Sequence, residues 1–121
     1  MQYSTSGRHI LLDLWGVDFA ILDDIRFLKE NMIIAGNKCG ANVLSVNYEK
    51  FNPNGVTVLI LLSESHLSIH TYPEQGYAAI DCYTCGDKVN PEIAANYLIE
   101  IFQPKEIYMR NVARGNGDIN G

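Results

Sequence analysis

The chain reads as an α+β protein: a two-layer α/β sandwich, with a mostly antiparallel sheet and two helices on one face, in the order βαββββαβ. Three observations predict this. Two segments repeat their apolar residues at helical spacing, after residue 18 and after residue 90. The runs between and around them alternate with a period of two, as half-buried strands do. The middle runs are joined by short turns, Asn52-Pro53-Asn54-Gly55 and Pro73-Glu74-Gln75-Gly76, which make hairpins and hence antiparallel neighbours.

The elements follow in order. Residues 1–7 form a polar lead. Arg8 to Trp15 is a strand with His9, Leu11 and Asp13 on one side and Ile10, Leu12 and Leu14 on the other. Asp18 is a suitable N-cap for a helix of about 20 residues. Its core stripe is Ile21, Ile25, Leu28, Met32, Ala35 and Cys39, and its outer face carries Asp23, Asp24, Arg26, Lys29 and Glu30. Gly40 ends it as the C′ residue. Asn42 to Phe51 is a second strand, with Leu44, Val46 and Tyr48 on one face. Val56 to Leu62 is the most apolar run, which predicts a central strand buried on both faces. His66 to Tyr72 and Tyr77 to Thr84 form a hairpin. Asn90-Pro91 starts a second helix as N-cap and N1, with Ile93, Ala94, Tyr97, Leu98 and Ile101 inward, ending near Gln103-Pro104. Ile107 to Val112 is the last strand, and the Gly- and Asn-rich remainder to Gly121 is expected to be loose.

With 121 residues the chain fits one domain, 1–121. An apolar fraction of 47% argues against disorder. A net charge of -5 with no Lys/Arg cluster argues against nucleic acid. No apolar run reaches the ~18 residues that a membrane span needs. The first residues, MQYSTSGRH, lack the apolar segment of a secretory signal, and three cysteines do not make a disulfide framework. A cytoplasmic setting is therefore expected. The helices cover one sheet face only, so a second copy could cover the other.

The stretch from Ser63 to Cys85, SESHLSIHTYPEQGYAAIDCYTC, concentrates the chemistry. It holds two of the three histidines and two of the three cysteines. His66, Ser68, His70 and Tyr72 share one strand face. Three readings compete. His66-x3-His70 with Cys82-x2-Cys85 resembles zinc spacing, but residues four apart on a strand lie roughly 13 Å apart and cannot share an ion. Cys82 to Cys85 as a redox pair lacks the helix that such motifs open, and the two side chains point to opposite faces. The third is self-processing: the hydroxyl of a serine attacks the preceding carbonyl, and the ester loses the serine Hα by elimination, leaving a ketone-bearing N-terminus. Glu64-Ser65 offers such a bond, although a lone Glu-Ser is common.

The run SESHLSIHTYPEQGYAAIDCYTCG, with Gly7-Arg8-His9 and Phe51-x-Pro-x-Gly55-Val56, resembles the prokaryotic S-adenosylmethionine decarboxylases, which depend on a pyruvoyl group. The resemblance spans nearly the whole chain. It implies cleavage between Glu64 and Ser65 into 1–64 (β chain) and 65–121 (α chain), with Ser65 becoming the pyruvoyl group. It implies that His70 takes the Hα during processing, that Thr57 assists there, and that Cys85 protonates the product carbanion. Phe51 and Tyr72 would hold adenine between them, with Glu74 near the substrate, and no metal is implied. Two departures stand out: Thr57 replaces a serine, and Tyr72 stands where a tryptophan is often found. The implied product is an aminopropyl donor for spermidine synthesis, made by a homodimer of cleaved protomers with sites near the interface.

These residue types suit that chemistry. An α-keto amide condenses with the substrate amine as a Schiff base and accepts the electrons that CO₂ leaves behind. A thiol, with an ordinary pKa of ~8.5, is mostly protonated near neutral pH and can return a proton to carbon. Ring faces stack on adenine and attract a sulfonium by ~0.5–2 kcal/mol. The reading requires the hydroxyl, imidazole and thiol of residues 65, 70 and 85 to meet in one cavity. Each residue also has a plainer role. Tyr72, Tyr77 and Tyr83 fit half-buried strand positions, His9 and His66 fit structural hydrogen bonding, and Cys39 and Cys82 fit packing. Two other functions stay open: a pyruvoyl-dependent decarboxylase of ornithine or arginine, and a non-catalytic module, either zinc-bound or regulatory.

Overall fold

The computed structural model describes residues 5–63, 65–86 and 88–117. The elements are β1 (Gly7–Trp15), α1 (Phe19–Leu22), α2 (Ile25–Lys38), β2 (Val43–Lys50), β3 (Val56–Leu62), β4 (Ser65–Tyr72), β5 (Tyr77–Cys85), α3 (Pro91–Phe102) and β6 (Glu106–Arg114), with a 3-10 turn at Pro73–Gln75. One six-stranded sheet runs in the order β2-β3-β4-β5-β1-β6, and every neighbouring pair is antiparallel. α2 and α3 pack on one face of it. The expected two-layer α+β sandwich is therefore what forms.

The core lies between the helices and alternate strand residues. Ile10, Leu12 and Leu14 of β1, Val58, Ile60 and Leu62 of β3, Leu67 and Ile69 of β4, and Ile80 and Cys82 of β5 meet Leu28 and Met32 of α2 and Leu98 and Phe102 of α3. Each large aliphatic buried here stabilises the fold by roughly 1.5–3 kcal/mol relative to exposure. Gly36 lets α2 come close to the sheet, since a Cβ there would meet Val43 Cγ2 at 3.1 Å and Leu62 Cδ2 at 3.2 Å. Gly40, just past the end of α2, has φ +94°, the left-handed conformation expected of a C′ glycine.

Four sequence expectations need correction. The single helix from Asp18 is two helices, broken at Asp23-Asp24. Asp24, not Asp18, supplies a side-chain cap, accepting from Phe27 N at 3.0 Å. Asp23 leaves the helix surface altogether. Its Oδ1 accepts from Gly55 N and from Lys50 Nζ, both at 2.9 Å, and so ties the helix break to the β2–β3 turn. These two bonds, the backbone one foremost, hold its carboxyl below the usual range.

In β2, Leu44 is exposed and Val43 takes the inward place, because a bulge shifts the pairing from Val43↔Leu62 to Ser45↔Leu61. β3 is neither central nor covered on both sides. It lies second from the edge, and Leu59 and Leu61 face outward at 46% and 51% exposure. β6 extends to Arg114, so residues 113 and 114 belong to the sheet edge, whereas residues 118–121 lie outside the described part.

Candidate active site

β3 ends at Leu62 and β4 begins at its partner Ser65, so the strands are joined through residues 63 and 64. Two-residue hairpins favour Gly or Asn; Ser-Glu has neither. Ser65 is buried and on the helix-facing side of the sheet. Its Oγ donates to the Ser63 carbonyl at 3.1 Å, so the hydroxyl is folded back on the chain that precedes it. Glu64, the expected other half of the cleavage site, lies outside the described residues.

His70 lies on the open face, five residues along β4. Its Nδ1 stands 3.0 Å from Oγ1 of Thr57, its cross-strand partner on β3. These two side chains, with Phe51 and Tyr72, wall a hollow of about 340 Å³. Phe51 and Tyr72 are about half exposed, at 49% and 48%. Glu74, on the 3-10 turn after Tyr72, accepts from Asn54 Nδ2 at 2.8 Å, and Asn54 lines the same hollow. The residues expected to bind substrate and to assist processing thus gather at one end of the sheet.

Cys85 ends β5 at the other end. It pairs with Gly7 and lies partly exposed on the open face. Two residues back, the Tyr83 phenol is pushed up by its hydrogen bond to Cys85 and then by burial. Tyr83 pairs with His66 across the strands, so Cys85 belongs to the Ser65 end of the hairpin. With a strand rise of ~3.3 Å per residue, His70 is roughly 16 Å from Ser65 and roughly 20 Å from the end of β5. Ser65 and His70 also face opposite sides of β4. The expectation that residues 65, 70 and 85 meet in one cavity does not hold within a single chain. Ser65 and Cys85 occupy one end, and Thr57, His70 and the two rings occupy the other.

Beyond Ser65 on the open face is a cluster in which His9 and His66 take the structural hydrogen-bonding part expected of them, and in which Asp81 is the member that sequence reasoning passed over. Asp81 Oδ2 is 2.9 Å from His9 Nε2 and 3.4 Å from His66 Nε2, and Asp81 Oδ1 accepts from the Ser68 hydroxyl. Burial pushes the Asp81 carboxyl up, but the bonds from Ser68 and His9 and the neighbouring His66 outweigh it and leave the group below its ordinary value. The ligand atoms of His9, His66 and Asp81 all lie within 4.8 Å of one another, close enough to share a metal ion. Arg114 argues for a hydrogen-bonded cluster instead. Its Nη1 is 3.3 Å from His9 Nδ1, and its guanidinium lies 4.7 Å over the Tyr83 ring, so a fixed cation already serves the far side of that imidazole. The signal was a lone aspartate between Ile80 and Cys82, facing outward on the same side as both histidines.

Comparison with known proteins bears on this arrangement. A model of the S-adenosylmethionine decarboxylase family matches residues 8–115. The chain is 59% identical over 119 residues to S-adenosylmethionine decarboxylase proenzyme 2 of Bacillus anthracis, covering 98% of this chain and 97% of that one. It is 56% identical to the S-adenosylmethionine decarboxylase proenzyme of Brevibacillus brevis, covering 98% and 90%. The crystal structure of the adenosylmethionine decarboxylase from Aquifex aeolicus superposes with a TM-score of 0.86 at 38% identity, covering 98% of this chain and 99% of that one. On sequence and on fold alike, over nearly its full length, the chain belongs to the S-adenosylmethionine decarboxylase family.

Proposed function

We propose that the chain cleaves itself between Glu64 and Ser65 and that the resulting pieces, 1–64 and 65–121, decarboxylate S-adenosylmethionine to the aminopropyl donor used for spermidine. The observation that carries this reading is the placement of Ser65. It heads a strand after a two-residue connection, with its hydroxyl turned back on that connection, in a chain that belongs to a family whose members are named proenzymes. Attack by Oγ on the preceding carbonyl converts the amide to an ester, and loss of the Ser65 Hα to a base then frees the upstream piece. Sheet pairing on either side of the break keeps the pieces together. Elimination leaves a dehydroalanine amine at the new N-terminus. It tautomerises to an imine, and one water hydrolyses that imine with loss of ammonia, so the nitrogen of Ser65 departs and a pyruvoyl group with an electron-accepting carbonyl remains.

His70 is the base for the Hα, with Thr57 fixing its ring through the 3.0 Å bond to Nδ1. Cys85 donates the proton to the product carbon. Phe51 and Tyr72 sandwich the adenine, and Glu74 stands at the rim of their hollow. Because Ser65 and Cys85 are roughly 16–20 Å from His70, a second copy completes the site. The open sheet face exposes Leu11, Leu59 and Leu61 together with the His9–Asp81–His66 cluster. A two-fold axis lying in that interface and across the strands sets the Ser65 end of one copy against the His70 end of the other. Among the described residues no helix is long and apolar enough to cross a membrane, and Cys39, Cys82 and Cys85 are all free thiols. A reducing cytoplasm suits this chemistry.

Mass spectrometry of the purified protein tests cleavage: two pieces, 1–64 and a ketone-headed 65–121, are expected. Release of CO₂ is then compared for S-adenosylmethionine, ornithine and arginine. Turnover of the first alone is the expected result. An intact chain without activity, or turnover of ornithine or arginine instead, would overturn the assignment.

A further inference from the structure

We infer that Trp15 and Tyr77 are positioning residues for the nucleoside: with Tyr72 they form a ladder of three rings that fixes the Tyr72 ring for stacking on adenine. This rests on the proposed function and deepens it. The three residues lie in register across three strands. Trp15 at the end of β1 pairs with Tyr77 at the start of β5, and Tyr77 pairs with Tyr72 at the end of β4. The Trp15 and Tyr77 rings are stacked with centroids 4.3 Å apart and planes 19° apart, and those of Tyr77 and Tyr72 are stacked at 5.4 Å and 19°.

The ladder stands on the open face, away from the helices, so it contributes nothing to the core between them. Tyr77 is pinned at its far end, where its hydroxyl donates to Asp13 Oδ1 at 2.7 Å. Burial first, and then Asp13, push that phenol up to about 12, so it remains a donor throughout the physiological range. Tyr77 covers one side of the Tyr72 ring, and Tyr72 in turn walls the hollow it shares with Phe51, Thr57 and His70. Trp15 and Tyr77 do not line that hollow and act only through Tyr72. Tyr72 is 48% exposed, and an unsupported ring there would lose rotamer freedom on binding. A ring already held by two others loses less. The arrangement also gives a smaller residue than tryptophan a fixed stacking plane.

Kinetics and fluorescence on the mature enzyme test this. Tyr77→Leu interrupts the ladder and is expected to raise KM for S-adenosylmethionine about 3- to 10-fold, the worth of an aromatic pair, with kcat within about twofold and self-cleavage complete. Tyr77→Phe keeps the rings and loses only the Asp13 bond, so its KM stays within about twofold of the parent. Trp15 is the single tryptophan of the chain. Binding of an adenine nucleoside should change its emission in the parent and in Tyr77→Phe, and leave it unchanged in Tyr77→Leu. An unaltered KM in Tyr77→Leu, or a fall in kcat alone, overturns the ladder while leaving the activity standing. A parent enzyme that releases no CO₂ from S-adenosylmethionine overturns the activity, and the ladder with it. Should Tyr77→Leu fail to fold, Trp15→Leu carries the test: a KM rise beyond about twofold supports the ladder, and an unchanged KM overturns it.

Discussion

Asp81 is a half-buried carboxylate on the open sheet face, and its surroundings contribute to how the protein responds to acid. Ser68, His9 and His66 face it directly, and Arg114 faces His9 from the edge strand. Its carboxyl is held below the ordinary value in the fold. A lowered pKa means that the unfolded chain binds the proton more readily, so the stabilisation is fully present above an ordinary aspartate value of ~3.9 and is lost as pH falls through the folded one. Asp81→Asn should therefore melt below the parent at neutral pH and show a flatter decline below about pH 4. Thermal midpoints across the acid range measure this, and parallel curves for the two proteins would refute it. Strand alternation alone placed His66, His70 and Tyr72 on one face, because side-chain direction has a period of two. It left Asp81 unremarked, since one acid in a strand reads as an ordinary solvent-facing residue until the register sets it opposite Ser68.

Among the elements, those with a complete local signal were legible and those set by tertiary partners were not. α3 has its Asn90 cap, accepting from Glu92 N at 3.0 Å, and Pro91 at N1, and it forms where expected, although Ile93 faces outward and Ala95 and Phe102 join Ala94 and Leu98 in the core. The break before α2 is written only as a second aspartate. Its cause is distant, in Gly55 and Lys50. The same region rests on Thr71, which is buried on β4. Its Oγ1 donates to the Leu22 carbonyl of α1 at 2.7 Å and accepts from Val56 N of β3 at 2.9 Å. Thr71→Val keeps the shape and strands both groups, which should cost about 1–3 kcal/mol. A denaturant titration reads this as a lower midpoint at unchanged slope. A midpoint equal to the parent's would show that water reaches these groups instead.

At the scale of the whole molecule, the family was legible from the resemblance, whereas the distribution of the candidate site residues over the sheet was not. Alternation tells which face a side chain takes, and the count that set His66 apart from His70 also sets Ser65 roughly 16 Å from His70, but only once β4 is seen to begin at Ser65 rather than at His66. The apolar run Val56–Leu62 misled for a related reason. Leu59 and Leu61 are apolar without a covering layer in one chain, as expected of a surface that meets a second copy. This division of the site gives a complementation test. On the proposed roles, Ser65→Ala lacks the nucleophile and His70→Ala lacks the base, so neither should cleave alone. If each site draws Ser65 from one copy and His70 from the other, a mixed dimer has one complete site, made from the Ser65 of the His70→Ala chain and the His70 of the Ser65→Ala chain. On equal co-expression, random pairing should let about half of the His70→Ala chains cleave, and none of the Ser65→Ala chains. Mass tags on the two chains identify which one is cut. If both chains stay intact in a confirmed mixed dimer, the site lies within one copy, and β4 must rearrange before cleavage.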